Sequence, residues 1–294
     1  MTSDERAAAP RLPSFLFIGP DKAGSTWLDA VLRTHPSVYI PAARDLYFFD
    51  RYFDRGLPWY ARHFRRARPE QSVLAEICHD YLFDPQAAQR IRDTLPDVRL
   101  MVCLREPVAR AFSSYLHMRR HGLVRSDFET ALNDVAELID NGAYWRHLAP
   151  YLELFGRDRI YIALFDDLKQ DPQAFMDGLT DWLGIERMTL TAEQLEPRRE
   201  ASTARSRPVA LLVKRSALLA RELRLDTLIG VVKRSPLVQR ALYRPMGDER
   251  PSPSQAAVLH LHAALGDDLA QLDAALGLDL AGRWHWPAPP PRSD

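Results

Sequence analysis

The sequence predicts an α/β fold: a parallel β-sheet covered by helices on both faces, followed by a helical extension at the C-terminus. Two observations carry the sheet. Short apolar runs recur along the first two thirds of the chain, and they are continuous rather than alternating, as in strands buried on both faces. Segments with helical spacing separate them, which is the order of βαβ units. A third observation carries the extension: beyond about residue 205 the strand-like runs stop and amphipathic helical patterns take over.

The elements follow in order. Residues 1–13 are polar and rich in Pro and Ala, and read as a loose tail. Phe15–Gly19 is the first strand, ended by Gly-Pro. A helix runs from Ser25 to about Arg33, with Trp27, Leu28, Val31 and Leu32 on one face, and His35-Pro36 stops it. Further strands are predicted at Ser37–Ile40, Ser72–Ile77, Val98–Leu104 and Arg159–Phe165. Further helices are predicted at Pro85–Leu95, Pro107–His121, Phe128–Ile139, Ala143–Phe155, Asp171–Leu183 and Pro251–Leu276. Residues 14–285 read as one domain: an α/β core over 14–185, a basic loop over 198–208 and the helical extension over 209–285. A loose end follows at 286–294.

Composition narrows the class. With 46% apolar and 27% charged residues, the chain is an ordinary globular protein, and its formal net charge of zero singles out no partner, nucleic acid included. Two cysteines, Cys78 and Cys103, cannot make a disulfide framework and fit a reducing compartment. The N-terminus shows no apolar leader and no run reaches the length of a membrane span, so a cytoplasmic protein is expected. The segment 205–250 holds eleven Lys/Arg against four acids. Its arginines read first as the solvated faces of packed helices, then as a rim for an anionic ligand or a peripheral contact with a membrane surface.

The chemistry starts at 19-GPDKAGST-26. A strand, a turn of small residues and a helix N-terminus make a ready anion site, because the first amides of the helix lack partners. Gly19 and Gly24 have the spacing of a nucleotide-binding loop, yet the basic residue is Lys22, between them, and Ser25 stands where a Mg-ATP loop has its lysine. Only four of the 39 Lys+Arg residues are lysine, so this one is notable. A second candidate is Arg105 at the end of the strand VRLMVC, where ligands bind in open α/β sheets, with Ser113 two turns into the next helix. Arginine offers fixed, permanently charged donors suited to phosphate.

Together these motifs resemble the PAPS-dependent sulfotransferases, especially the heparan-sulfate or glycan type and its bacterial relatives; PAPS is 3′-phosphoadenosine 5′-phosphosulfate. The loop is similar to the family's 5′-phosphosulfate loop. The run R-x-P-x-x-R-x-x-S-x-Y, met at Arg105, Pro107, Arg110, Ser113 and Tyr115, is similar to its 3′-phosphate site. The resemblance covers about Phe15 to Ile185 and implies a P-loop-like sheet and metal-free transfer of a sulfuryl group. It implies donor contacts from Lys22, Ala23, Gly24, Ser25, Thr26, Trp27, Arg105 and Ser113. Arg205 and Arg207, in a basic Ser/Thr-rich loop, are the expected closing residues, and Arg110 is expected to be structural.

On the acceptor side, 44-RDLYFF-49 is similar to a family segment written K-E-x-H-[FY]-F, whose glutamate is the proposed base. Asp45 takes that place with one methylene less, Arg44 replaces the lysine and Tyr47 the histidine. The stretch 76-EICHDY-81 is similar to E-K-[ST]-P-x-Y and offers Glu76 and Tyr81 to the substrate. His79 beside Asp80 is the alternative base. His63, His117 and His121 read as helix-surface residues. The expected acceptor is a saccharide or small-molecule hydroxyl. Two alternatives stay open: a kinase or NTPase using Mg-ATP, and a non-catalytic protein that binds anions or glycans.

Overall fold

A computed structural model describes residues 11–196, 202–204, 243–245 and 251–287. The elements are β1 (Phe15–Gly19), α1 (Ser25–Leu32), β2 (Val38–Tyr39), α2 (Gly56–Ala61), β3 (Val73–Ile77), α3 (Ala87–Thr94), β4 (Arg99–Leu104), α4 (Pro107–Arg120), α5 (Phe128–Asp134) and α6 (Glu137–Asp140). They continue with α7 (Tyr144–Phe155), β5 (Ile160–Leu164), α8 (Phe165–Gln170), α9 (Pro172–Leu183), α10 (Ala192–Leu195), β6 (Ser202–Ala204), β7 (Tyr243–Pro245), α11 (Gln255–Leu276) and α12 (Leu280–Arg283).

The five predicted strands form one parallel sheet in the order β2-β3-β1-β4-β5. β1 is central and wholly buried, and its alternate residues feed two cores. Phe15 and Phe17 pack with Trp27 and Val31 of α1 and with Met176 and Leu179 of α9. Leu16 and Ile18 face Ile91 of α3, Ala111 of α4, Leu148 of α7 and Leu265 of α11. Strands buried on both faces have no polar side to alternate with, which explains the continuous apolar runs. All five strands point the same way, so the loops that follow β1, β2, β3, β4 and β5 gather along one edge of the sheet.

Two readings of the helices change. The helix expected over Phe128–Ile139 is two helices, broken where Val135 is extended at φ −127° and ψ 91°. The break turns the backbone carbonyls of Glu137 and Leu138 toward the buried Arg110 guanidinium, which donates to Leu138 at 2.6 Å. A fully buried cation needs such acceptors. The last strand ends at Leu164, and Phe165 opens α8 instead, its Asp166 and Asp167 giving the first turn a favourable negative end.

The extension helix α11 lays a stripe of Ala257, Leu261, Leu265, Leu269 and Leu272 on the core. Its Asp268 reaches across to the start of α7 and accepts from the amides of Trp145 (2.8 Å) and Arg146 (3.3 Å). α7 has no cap of its own, so one helix caps another. Behind α11, Arg283 pairs with Asp167 and the Trp284 indole donates to Asp166, tying the chain end to α8. The basic helical pattern over 209–242 lies outside the described residues. β6 pairs antiparallel with β7 and lies against α4.

Candidate active site

The loop after β1 is held in a shape that most residues resist. Lys22 has φ 62° and Gly24, the N-cap of α1, has φ 89°. Gly19 passes so close to β3 that a side-chain carbon there would stand 2.5 Å from the His79 carbonyl oxygen. Fixed from beneath, the loop presents the α1 amides and Lys22 at the sheet edge. Asp21 accepts from Arg110 Nη1 at 3.1 Å and from Ser114 Oγ at 3.0 Å. Burial opposes the Asp21 charge, but Arg110, His79, Lys22 and Ser114 together hold its carboxyl below the usual range. Arg110 is 0% exposed and thus structural. Neither Asp21 nor Ser114 stood out in the sequence; the signal was an acid next to Lys22 in the loop and a second serine beside Ser113.

Cationic groups surround the loop. Arg105 donates from Nη1 to the Lys22 carbonyl at 2.7 Å and stacks over Phe165 at 4.8 Å. Tyr144 donates to the Arg105 carbonyl at 2.7 Å, fixing the end of β4. Glu106 caps α4 by accepting from the Val108 and Ala109 amides. Ser113, half-buried, lies on α4 beside Ser114. Arg44 was expected on the acceptor side. It reaches instead across to α1, donating to Thr26 Oγ1 and Ser25 Oγ, both at 3.0 Å. Ala23 and Trp27 turn their side chains into the core, the Trp27 indole donating to the Gln194 carbonyl, so what they can offer a ligand is backbone N–H.

The two carboxylate-and-imidazole candidates are partners. His79 Nδ1 stands 3.0 Å from Asp45 Oδ1, and His79 Nε2 stands 3.1 Å from Asp80 Oδ1. Arg51 pairs with the other oxygen of Asp80. Arg44 Nε lies 3.8 Å from Asp45 Oδ2. Asp45 and Tyr47 both have left-handed backbone, φ 52° and 53°, and the Arg51 guanidinium covers the half-buried Tyr47 ring at 4.2 Å. Such conformations cluster at sites where geometry matters more than ease of folding. Burial works against charge on His79, yet Asp45, Asp80 and Asp21 outweigh it and raise its pKa to about 9. A histidine charged at neutral pH has no lone pair with which to take a proton there. The structure sets the two candidate bases side by side, His79 as the ion-pair partner of Asp45.

Glu76 and Tyr81 do not face an acceptor. Glu76 is opposite Leu16 in the sheet and shares its face, so its side chain enters the core. There Tyr60 and Tyr81 both donate to it, and Tyr81 in turn accepts from the Phe48 amide at 2.9 Å. Burial raises the Glu76 carboxyl to about 7 despite these bonds. Phe48, Phe49 and Tyr60 stack in the same cluster, with Phe48 and Tyr60 rings 4.3 Å apart. His63 is likewise no surface residue: it packs edge-on against Trp59, and burial lowers it to about 4. His117 and His121 do lie along the outer part of α4, ring centroids 4.3 Å apart. Arg205 and Arg207 lie outside the described residues.

Among the described residues, no cluster of His, Cys, Asp or Glu is arranged to hold a metal ion, and no helix is long and apolar enough to cross a membrane. The fold is that of a sulfotransferase from Alicyclobacillus acidocaldarius: TM-score 0.67 at 24% identity, covering 94% of this chain and 99% of that one. In sequence, the Dictyostelium discoideum membrane-associated sulfotransferase kil1 is 32% identical over 138 residues, 44% of this chain. Mouse heparan sulfate glucosamine 3-O-sulfotransferase 3B1 is 31% identical over 191 residues, 62% of this chain. The matches span 29% and 48% of the length of these two relatives. Residues 12–207, which contain the Lys22 loop, the Asp45–His79 pair and Arg105, match the sulfotransferase domain model, and the chain belongs to the sulfotransferase family.

Proposed function

We propose that the protein transfers a sulfuryl group from PAPS to a hydroxyl of a saccharide or small-molecule acceptor. One observation carries this most: a strained loop places Lys22 and the open amides of α1 together, with Arg44 on the loop hydroxyls and Arg105 on the loop backbone. That donor set suits a multiply charged sulfate–phosphate anhydride. Crowding at Gly19 and the left-handed φ at Gly24 leave the loop shaped for close backbone approach.

The donor would supply an activated sulfur, which bonds to the acceptor oxygen as its bond to the 5′-phosphate oxygen breaks. The chain supplies position and charge. Lys22 stands where it can offset negative charge on the departing oxygen. Ser25, Thr26 and the α1 amides hold the phosphosulfate end, while Arg105 and Ser113 serve the 3′-phosphate. Asp45 takes the acceptor proton. The saccharide preference draws support from the heparan sulfate relatives. Two buried free cysteines support a reducing, cytoplasmic setting.

Calorimetry tests the reading. Adenosine 3′,5′-bisphosphate is expected to bind in the presence of EDTA, and a panel of glycans and phenols incubated with PAPS is expected to yield a sulfonated product by mass spectrometry. Binding of Mg-ATP with none of the bisphosphate would overturn it.

A further inference from the structure

The exit of β3 brings four charged groups into one chain: Asp45 Oδ1, the two ring nitrogens of His79, both oxygens of Asp80, and Arg51. The chain has a direction. Arg51 is the exposed end, its side chain 53% exposed, whereas the Asp45 side chain is 16% exposed, and Asp45 carries the strained backbone. Asp45 has a short side chain, and its amide donates to the Ile77 carbonyl at 3.3 Å. Its carboxylate is flanked on both sides, by the His79 imidazole 3.0 Å from Oδ1, on the segment that follows β3, and by Arg44 Nε 3.8 Å from Oδ2.

We infer that His79 is a positioning residue: it stays protonated through turnover and holds the Asp45 carboxylate in line, while Asp80 and Arg51 hold His79. The inference rests on Asp45 being the base. In the step itself one proton passes from the acceptor hydroxyl to Asp45, the acceptor oxygen bonds to sulfur, and the electron pair of the broken sulfur–oxygen bond leaves with the bisphosphate. His79 neither gains nor loses a proton. The groups that face His79 are Asp45 on the β2–α2 segment, its neighbour Asp80, and Asp21 of the β1–α1 loop, with Lys22 beside Asp21 and Arg51 behind Asp80. All of its direct neighbours are acids, which keeps it charged.

The test has two readouts. The first needs no turnover: the imidazole resonance of His79, assigned by its loss in His79→Asn, is expected to titrate near pH 9 and to move toward the ordinary histidine range in Asp45→Asn. The second is bisphosphate release from PAPS, with water alone and with any acceptor from the panel. His79→Ala is expected to lose roughly 10²-fold in rate at unchanged bisphosphate affinity. His79→Asn, which keeps a neutral donor toward Asp45, is expected to recover most of that rate and to lose the alkaline fall of the pH profile. A wild-type rate at every pH in His79→Ala, with Asp45→Asn inactive, overturns the positioning role and leaves the base in place. The converse pattern, His79→Ala inactive and Asp45→Asn active, makes His79 the base. Wild-type rates in both variants, with the bisphosphate still bound, remove the reading of Asp45 itself.

Discussion

Lys22 was legible because its surroundings are local. Strand, glycine, lysine, glycine and hydroxyls follow one another within eight residues, and the chain has few lysines to confuse the pattern. Its positive φ marks the point where the loop turns, a conformation a lysine adopts only at a cost. Lys22→Ala is expected to keep the fold and bisphosphate binding while slowing bisphosphate release from PAPS by about 10²–10³-fold, the usual cost of removing one preorganised donor. Unchanged release would remove Lys22 from the chemistry. Residues whose roles depend on distant partners were read less well. Arg44 is 18 and 19 residues from the hydroxyls it grips, and no spacing rule joins them. Glu76 was offered to the substrate by the motif alone, and its pairing with Leu16 puts it in the core, where Tyr60 and Tyr81 donate to it.

At the scale of elements, buried polar groups decide what periodicity cannot. The five strands were readable as apolar runs, and α11 as a long amphipathic pattern with Ser254 as its cap and Gly277 as its left-handed end. The break between α5 and α6 was not readable, because its reason is Arg110, a residue on another helix that needs the carbonyls the break exposes. Arg110 also clamps Asp21, so it links α4, α6 and the β1–α1 loop. Arg110→Met is expected to cost about 3–5 kcal/mol in denaturant unfolding by removing the buried cation that pairs with Asp21. It should also weaken bisphosphate binding in calorimetry, since the loop loses its anchor. Asp268→Ala separates a purely architectural bond from these. Loss of the cap on α7 is expected to cost about 0.5–2 kcal/mol with bisphosphate affinity unchanged. A weakened affinity would mean that α7 also sets the site.

For the whole molecule, the buried titratable groups set how stability depends on pH, and they pull in different directions. Asp21, depressed in the fold, stabilises above the ordinary carboxylate pKa and loses that contribution as the pH falls. His63, lowered to about 4, likewise favours the folded state more as the pH rises toward 6.5. Glu76 acts the other way. Its folded pKa of about 7 lies above its unfolded value, so the folded state binds the extra proton, and stability falls between about pH 4.5 and 7. His79, raised to about 9, contributes fully below pH 6.5 and loses its contribution as the pH climbs through 9. Above neutrality His79 loses its contribution, so stability should drop from pH 7 to 9. Glu76→Gln isolates one member of this set, because the amide mimics the protonated acid between Tyr60 and Tyr81. Relative to the parent protein, the variant is expected to gain on the order of 3 kcal/mol in unfolding free energy on going from pH 4 to pH 8. The comparison across pH cancels any fixed cost of fitting the amide. A difference that stays constant with pH would mean that Glu76 has the same pKa in the folded and unfolded states, the two tyrosine bonds cancelling its burial.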